Sequence, residues 1–101
     1  MQCKTFHMIK SFKSKALRDY WLKGVEKGIK PEWLDRVHEL LSSLEAAATP
    51  EDMRLPTYHF HPLKGDRKGD CAVTIRGNWR ITFAWEDGDA SRVDMEDYHG
   101  R

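Results

Sequence analysis

From Gly77 to Trp85 large apolar residues alternate with polar or small ones: Trp79, Ile81, Phe83 and Trp85 against Arg80, Thr82 and Ala84. Side chains of a β-strand point to opposite faces with a period of two, so the pattern predicts a strand with one apolar and one polar face. The apolar face needs a partner to bury it. The polar face carries a guanidinium, Arg80, in mid-sheet, where a charge with no task costs stability. This strand is therefore the expected hub, with core on one side and chemistry on the other.

The same reading orders the rest of the chain. Met8-Ile9-Lys10-Ser11-Phe12 reads as a short first strand. From Ser14, a fair N-cap, Ala16, Leu17, Tyr20, Trp21 and Val25 recur at helical spacing. Lys13, Lys15, Arg18, Lys23 and Lys27 fall mainly outside that stripe, which makes a basic amphipathic helix, loosened at Gly24 and Gly28. Pro31, at a favourable first helical position, opens a second helix over about 31–47. Its stripe is Trp33, Leu34, Val37, Leu40, Leu41, Leu44 and Ala48, and its outer face is acidic. Thr49-Pro50 starts one short turn. Tyr58 to Pro62 is a short strand with His59 and His61 on one face and Phe60 on the other. A basic, glycine-flanked loop spans Leu63 to Gly69, and Ala72 to Ile75 forms a strand with Val73 and Ile75 inward. Arg76-Gly77-Asn78 and Asp87-Gly88-Asp89 are hairpin turns, and Ala90 to Met95 is a last strand with Val93 and Met95 inward. The expected fold is a two-layer α+β domain: two N-terminal helices on one face of a curved, mainly antiparallel sheet of about four to five strands. No other segment is left to cover the second face, which carries His59, His61, Thr74, Arg80 and Thr82.

Size and charge change the picture a little. A chain of 101 residues is one domain able to bury a core without staples. No apolar run approaches a membrane span, the start lacks the apolar stretch of a signal peptide, and two cysteines without metal-ligand spacing suit a reduced, cytoplasmic setting. The net charge of +1 hides an alternation of basic, acidic, basic and acidic quarters. Segregation of this kind can build a basic face for a polyanion, although from charge alone ordinary solvated faces are the favoured reading.

The residue types on the open face suit RNA cleavage without a metal. Attack of a ribose 2′-hydroxyl on the adjacent phosphorus needs a base, positive donors for the phosphorane charge and an acid for the leaving oxygen. Arg80, His61, Lys64, Asp97, Tyr98 and His99 supply all three. Each has a plainer reading. His59-X-His61 is more often a pair of partly exposed strand histidines than a metal site, and Arg80 could form a cross-strand bridge to Asp94 or Asp97. Trp33, Trp79, Phe83 and Trp85 are core, whereas Tyr58 and Tyr98 are better placed to stack on bases.

Four stretches carry a resemblance: Met8 to Phe12, His61-Pro62-Leu63-Lys64-Gly65-Asp66-Arg67, Asn78-Trp79-Arg80-Ile81-Thr82-Phe83 and Glu96-Asp97-Tyr98-His99. Together they resemble HigB-type toxins of the RelE/ParE superfamily, over residues 8–99. The resemblance implies the RelE-like fold and ribosome-dependent messenger RNA cleavage in the decoding site. It implies restraint by a HigA-type helix-turn-helix antitoxin, through which alone operator DNA would be met. No cofactor, metal or membrane is implied. The family's functional positions fall on His61, Arg80, Asp97, Tyr98 and His99 as catalytic residues and on Lys64 toward substrate; Arg67 and Lys68 of the same basic loop are also expected to face substrate. Lys10, Lys13, Lys15, Arg18 and Lys23 would dock on ribosomal RNA. Residues 1–7 precede the usual start, so Met8 is a candidate initiator. Asp70-Cys71 stands where such toxins usually show an aromatic residue, and Gly100-Arg101 extends the tail. A ParE-like gyrase inhibitor and a non-catalytic partner for antitoxin and operator are the alternative readings.

Overall fold

The computed structural model describes residues 9–97. Two helices, α1 (Lys15–Lys23) and α2 (Leu34–Ala46), precede four strands: β1 (His61–Pro62), β2 (Cys71–Arg76), β3 (Trp79–Glu86) and β4 (Asp89–Asp97). The strands pair in sequence order and are antiparallel throughout. The helices cover one face of the sheet, which is the expected two-layer α+β arrangement.

Local chemistry sets the helix ends. The Ser14 hydroxyl oxygen accepts the Leu17 amide at 3.2 Å, and α1 stops at Gly24, whose φ of 74° suits a residue without Cβ. Val25 therefore falls beyond the helix and is exposed, not part of the buried stripe. A 3-10 turn at Pro31–Trp33 leads into α2, which buries Val37, Leu40, Leu41 and Leu44. Ala47, with extended backbone (ψ 135°), turns inward and is buried where the stripe pointed to Ala48. The expected first strand is reduced to two parallel bridges, Ile9 to Ala90 and Phe12 to Val93, along the free edge of β4.

The hub strand behaves as its alternation requires. Ile81 and Phe83 are buried against Val73, Val93, Leu17 and the α2 stripe, and Trp79 lies 5.2 Å from Trp33 between ring centroids. A fully buried side chain of this kind contributes about 2 kcal/mol, so this layer holds the fold together.

Register on β4 depends on one irregularity. Thr82 pairs with Asp94 but Ala84 pairs with Ser91, so β4 carries one extra residue opposite Phe83, and Arg92 there has a φ of 48°. The bulge lets Ala90, Val93 and Met95 all face the helices despite their uneven spacing. It also brings Asp94 and Glu96 onto the face of Thr82 and Arg80. A slip of one residue would send both carboxylates into the core.

Three further expectations are corrected. Tyr58 to Pro62 is not a continuous strand: His59 has a φ of 51°, which breaks the extended backbone, and only His61–Pro62 joins the sheet. The two histidines therefore do not share a face by alternation. Tyr58 is buried, with its hydroxyl 2.7 Å from Ser43 Oγ and the Arg36 guanidinium over its ring, and so offers no platform for a base. Nor is the second face of the sheet bare. The loop of residues 63–70 folds over it, and Ala72 and Thr82 on that face are buried.

Candidate active site

The register defines the site. His61 pairs with Ala72, Ala72 with Thr82, and Thr82 with Asp94; in the next same-face row Thr74 pairs with Arg80 and Arg80 with Glu96. Cross-strand partners share a face, so His61, Thr82, Arg80, Asp94 and Glu96 stand on the side away from the helices. Strand spacing and rise put the His61 and Arg80 backbones about 12 Å apart, a gap that a phosphodiester held by a long guanidinium side chain can span.

Each side chain has its own support. Arg80 is anchored where β3 leaves the hairpin turn: its Nη1 donates to the Gly77 carbonyl at 2.9 Å. His61 Nδ1 lies 3.3 Å from the His59 carbonyl oxygen, a contact made by the unusual backbone at His59. The tautomer that donates this bond carries its lone pair on Nε2, as a base requires. Lys64 lies two residues beyond β1, is exposed, and opens the 3-10 turn Gly65–Arg67. The loop is fixed at its base by buried Leu63, whose amide donates to the Asp70 carbonyl at 2.8 Å. Lys68 is exposed beyond the turn. Asp97 ends β4 opposite Trp79, and the alternation puts it on the other side of the strand from Glu96. Tyr98 and His99 lie outside the described residues.

Arg67 has a different environment from the one expected of a substrate ligand. Its Nη2 and Nη1 donate to the two oxygens of Glu96 at 2.7 and 3.1 Å, and its Nε donates to Asp70 at 3.2 Å. The Thr82 hydroxyl donates to Glu96 at 2.6 Å, and Arg92 Nη2 to Asp70 at 3.4 Å. The bond from Arg67 holds the Glu96 carboxyl below the usual range against the opposing effect of burial, and the Arg67 pKa is raised in turn. Sequence reasoning missed this network. The signal was present, because Glu96 stands two residues from Asp94 on a strand that pairs with Arg80 and Thr82, but the bulge that selects this register is not visible as a motif.

The cations assigned to ribosome docking are largely paired. Lys10 reaches Asp87 at 2.9 Å, and Lys15, Arg18 and Lys23 converge on Asp19 at 2.7, 3.5 and 3.9 Å. Lys13 is exposed beside them.

A family model described as the RelE-like toxin of the type II toxin–antitoxin system HigB matches residues 10–99. The chain is 44% identical over 92 residues to Endoribonuclease HigB of Proteus vulgaris, covering 91% of this chain and all of that one. It is 29% identical over 83 residues to Toxin HigB-1 of Vibrio cholerae, covering 80% of this chain and 87% of that one. Among solved structures, the YoeB dimer of Staphylococcus aureus matches with a TM-score of 0.61 at 18% identity, covering 94% of this chain and 99% of that chain. A YafQ variant from E. coli matches with a TM-score of 0.56 at 19% identity, covering 90% and 92%. The structural likenesses support the fold; the family match and the 44% relative, taken with the His61 and Arg80 motifs in place on one sheet face, show that the chain belongs to the HigB-like toxins of type II toxin–antitoxin systems.

Proposed function

We propose that this toxin is an endoribonuclease that cuts messenger RNA in the decoding site of the ribosome, and that a HigA-type antitoxin restrains it. The carrying observation is the sheet face shared by His61 and Arg80, with Lys64 on the adjoining turn, in a chain 44% identical to a protein named an endoribonuclease. Arg80 and Lys64 would hold the scissile phosphate and its transition-state charge; the fork of Arg80 donates parallel bonds to phosphate oxygens. His61, with Tyr98 and His99 of the tail, would share the proton transfers, taking the proton of the 2′-hydroxyl and returning one to the leaving 5′-oxygen, while Asp97, on the other side of β4 from Glu96, would orient the tail. The reaction joins the 2′-oxygen to phosphorus and breaks the bond from phosphorus to the 5′-oxygen. The exposed cations of α1 and of the 63–70 loop would add phosphate contacts to ribosomal RNA. Among the described residues no helix is long and apolar enough to cross a membrane.

Purified toxin incubated with messenger RNA, free or on programmed ribosomes, tests the reading. Cleavage confined to ribosome-bound message supports it, and cleavage of neither form would overturn it.

A further inference from the structure

We infer that the Arg67–Glu96 pair is a positioning clamp for the active site, not a phosphate-binding group with a carboxylate neighbour. It ties the turn after His61 and Lys64 to the end of β4, one residue before Asp97. The inference rests on the proposed nuclease activity.

Four observations carry it. First, β1 pairs with β2 through only two residues, His61 and Pro62, so the sheet ladder alone holds the Lys64 turn weakly. Second, Arg67 reaches from that turn across Thr82 of β3 to Glu96 of β4, and both oxygens of Glu96 are engaged. A bidentate pair fixes orientation as well as distance, which a single contact does not. Third, Asp70 braces the same guanidinium and takes a bond from Arg92 at the β4 bulge, so the turn is tied to β4 at two points. Fourth, three of the five N–H donors of Arg67 already go to two carboxylates, one at each nitrogen, so its charge is compensated and its fork is taken by Glu96 rather than presented to a phosphate. The clamp thus sets the separation between the His61–Lys64 side of the site and the Asp97 side.

Single-turnover cleavage on programmed ribosomes separates the two roles through the rate at saturating ribosome and the ribosome concentration giving half that rate. The variants are Arg67→Ala, Arg67→Lys, Glu96→Gln and the Arg67→Ala/Glu96→Gln double. A clamp requires Arg67→Ala and Glu96→Gln each to lower the saturating rate about tenfold or more with the half-saturating concentration little changed. The double should be no worse than the worse single, and Lys, which cannot form the fork, should rescue poorly. Glu96→Gln keeps the side chain's size and an acceptor for Thr82, which guards against simple misfolding. A wild-type rate in Glu96→Gln, or loss of affinity alone in Arg67→Ala, would overturn the clamp. Amide exchange decides independently of activity: faster exchange confined to residues 64–70 and 94–97 in both single variants supports it, and unchanged exchange there contradicts it. Absence of cleavage by the wild type would count against the nuclease reading and leave the exchange result to judge the clamp.

Discussion

The Arg67 guanidinium meets both oxygens of Glu96, at 2.7 and 3.1 Å, while the Thr82 hydroxyl donates to the same carboxylate at 2.6 Å. A residue of the loop after β1 is thereby joined to the middle of β3 and the end of β4. The pairing has consequences for stability that are separable from those for activity.

The first concerns acid. The Arg67 bond depresses the folded-state pKa of Glu96, so in acid the unfolded chain binds more protons than the native one. The stabilisation is complete above the ordinary glutamate value of 4.5 and is lost as pH falls through the lower folded value. Urea unfolding between pH 7 and pH 3 should therefore show a steeper loss of stability below about pH 4.5 in the wild type than in Glu96→Gln. Parallel curves would show that the pair does not contribute to stability.

Thr82 supplies a second check. It is buried, and its hydroxyl has Glu96 as acceptor. Thr82→Val keeps the shape but removes the donor, and should cost about 1.5–3 kcal/mol, since a bond to a charged group is lost. Denaturant midpoints measure it; no change would mean that water replaces the hydroxyl.

Tyr58 distinguishes a structural tyrosine from a base-stacking one. Tyr58→Phe keeps the ring and loses the bond to Ser43, so stability should fall by about 1 kcal/mol with the cleavage rate unchanged. A reduced rate at unchanged stability would restore a role toward RNA.

For the docking surface, Asp19 is the informative position. Lys15, Arg18 and Lys23 converge on its carboxylate, so Asp19→Asn should strengthen co-sedimentation with ribosomes and steepen its salt dependence. Neutralising Lys13, Lys15, Arg18 and Lys23 together should weaken it. If neither variant moves the bound fraction, α1 is not part of the ribosome footprint.

Much of this architecture is legible in the sequence because periodicity reports burial. The alternation through Trp79, Ile81, Phe83 and Trp85 and the stripe from Trp33 to Leu44 point to the strand and helix that form the core. Ser14, Pro31, Gly77 and Gly88 mark their element ends through local chemistry. What stays hidden depends on backbone irregularity and on contacts distant in sequence. The left-handed His59 cancels the expected His59–His61 face, and the bulge at Arg92 decides on which side Glu96 stands. The Arg67 cation reads as a phosphate ligand in sequence because its partner lies 29 residues away. Tyr58 is drawn into the core by Ser43 and Arg36 of α2, which no short-range pattern announces.

Arg80 bears most directly on the proposed nuclease activity. Induced expression in cells lacking the antitoxin, with messenger RNA 5′ ends mapped for wild type, Arg80→Ala and His99→Ala, is the measurement to make. The expected result is growth arrest with new cuts in register with the reading frame, falling about 100-fold or more in Arg80→Ala, the usual loss for removing a donor to transition-state charge, and also lost in His99→Ala. Growth arrest without new cuts, undiminished in either variant, would contradict the account and favour a toxin that acts by binding, as a gyrase inhibitor would.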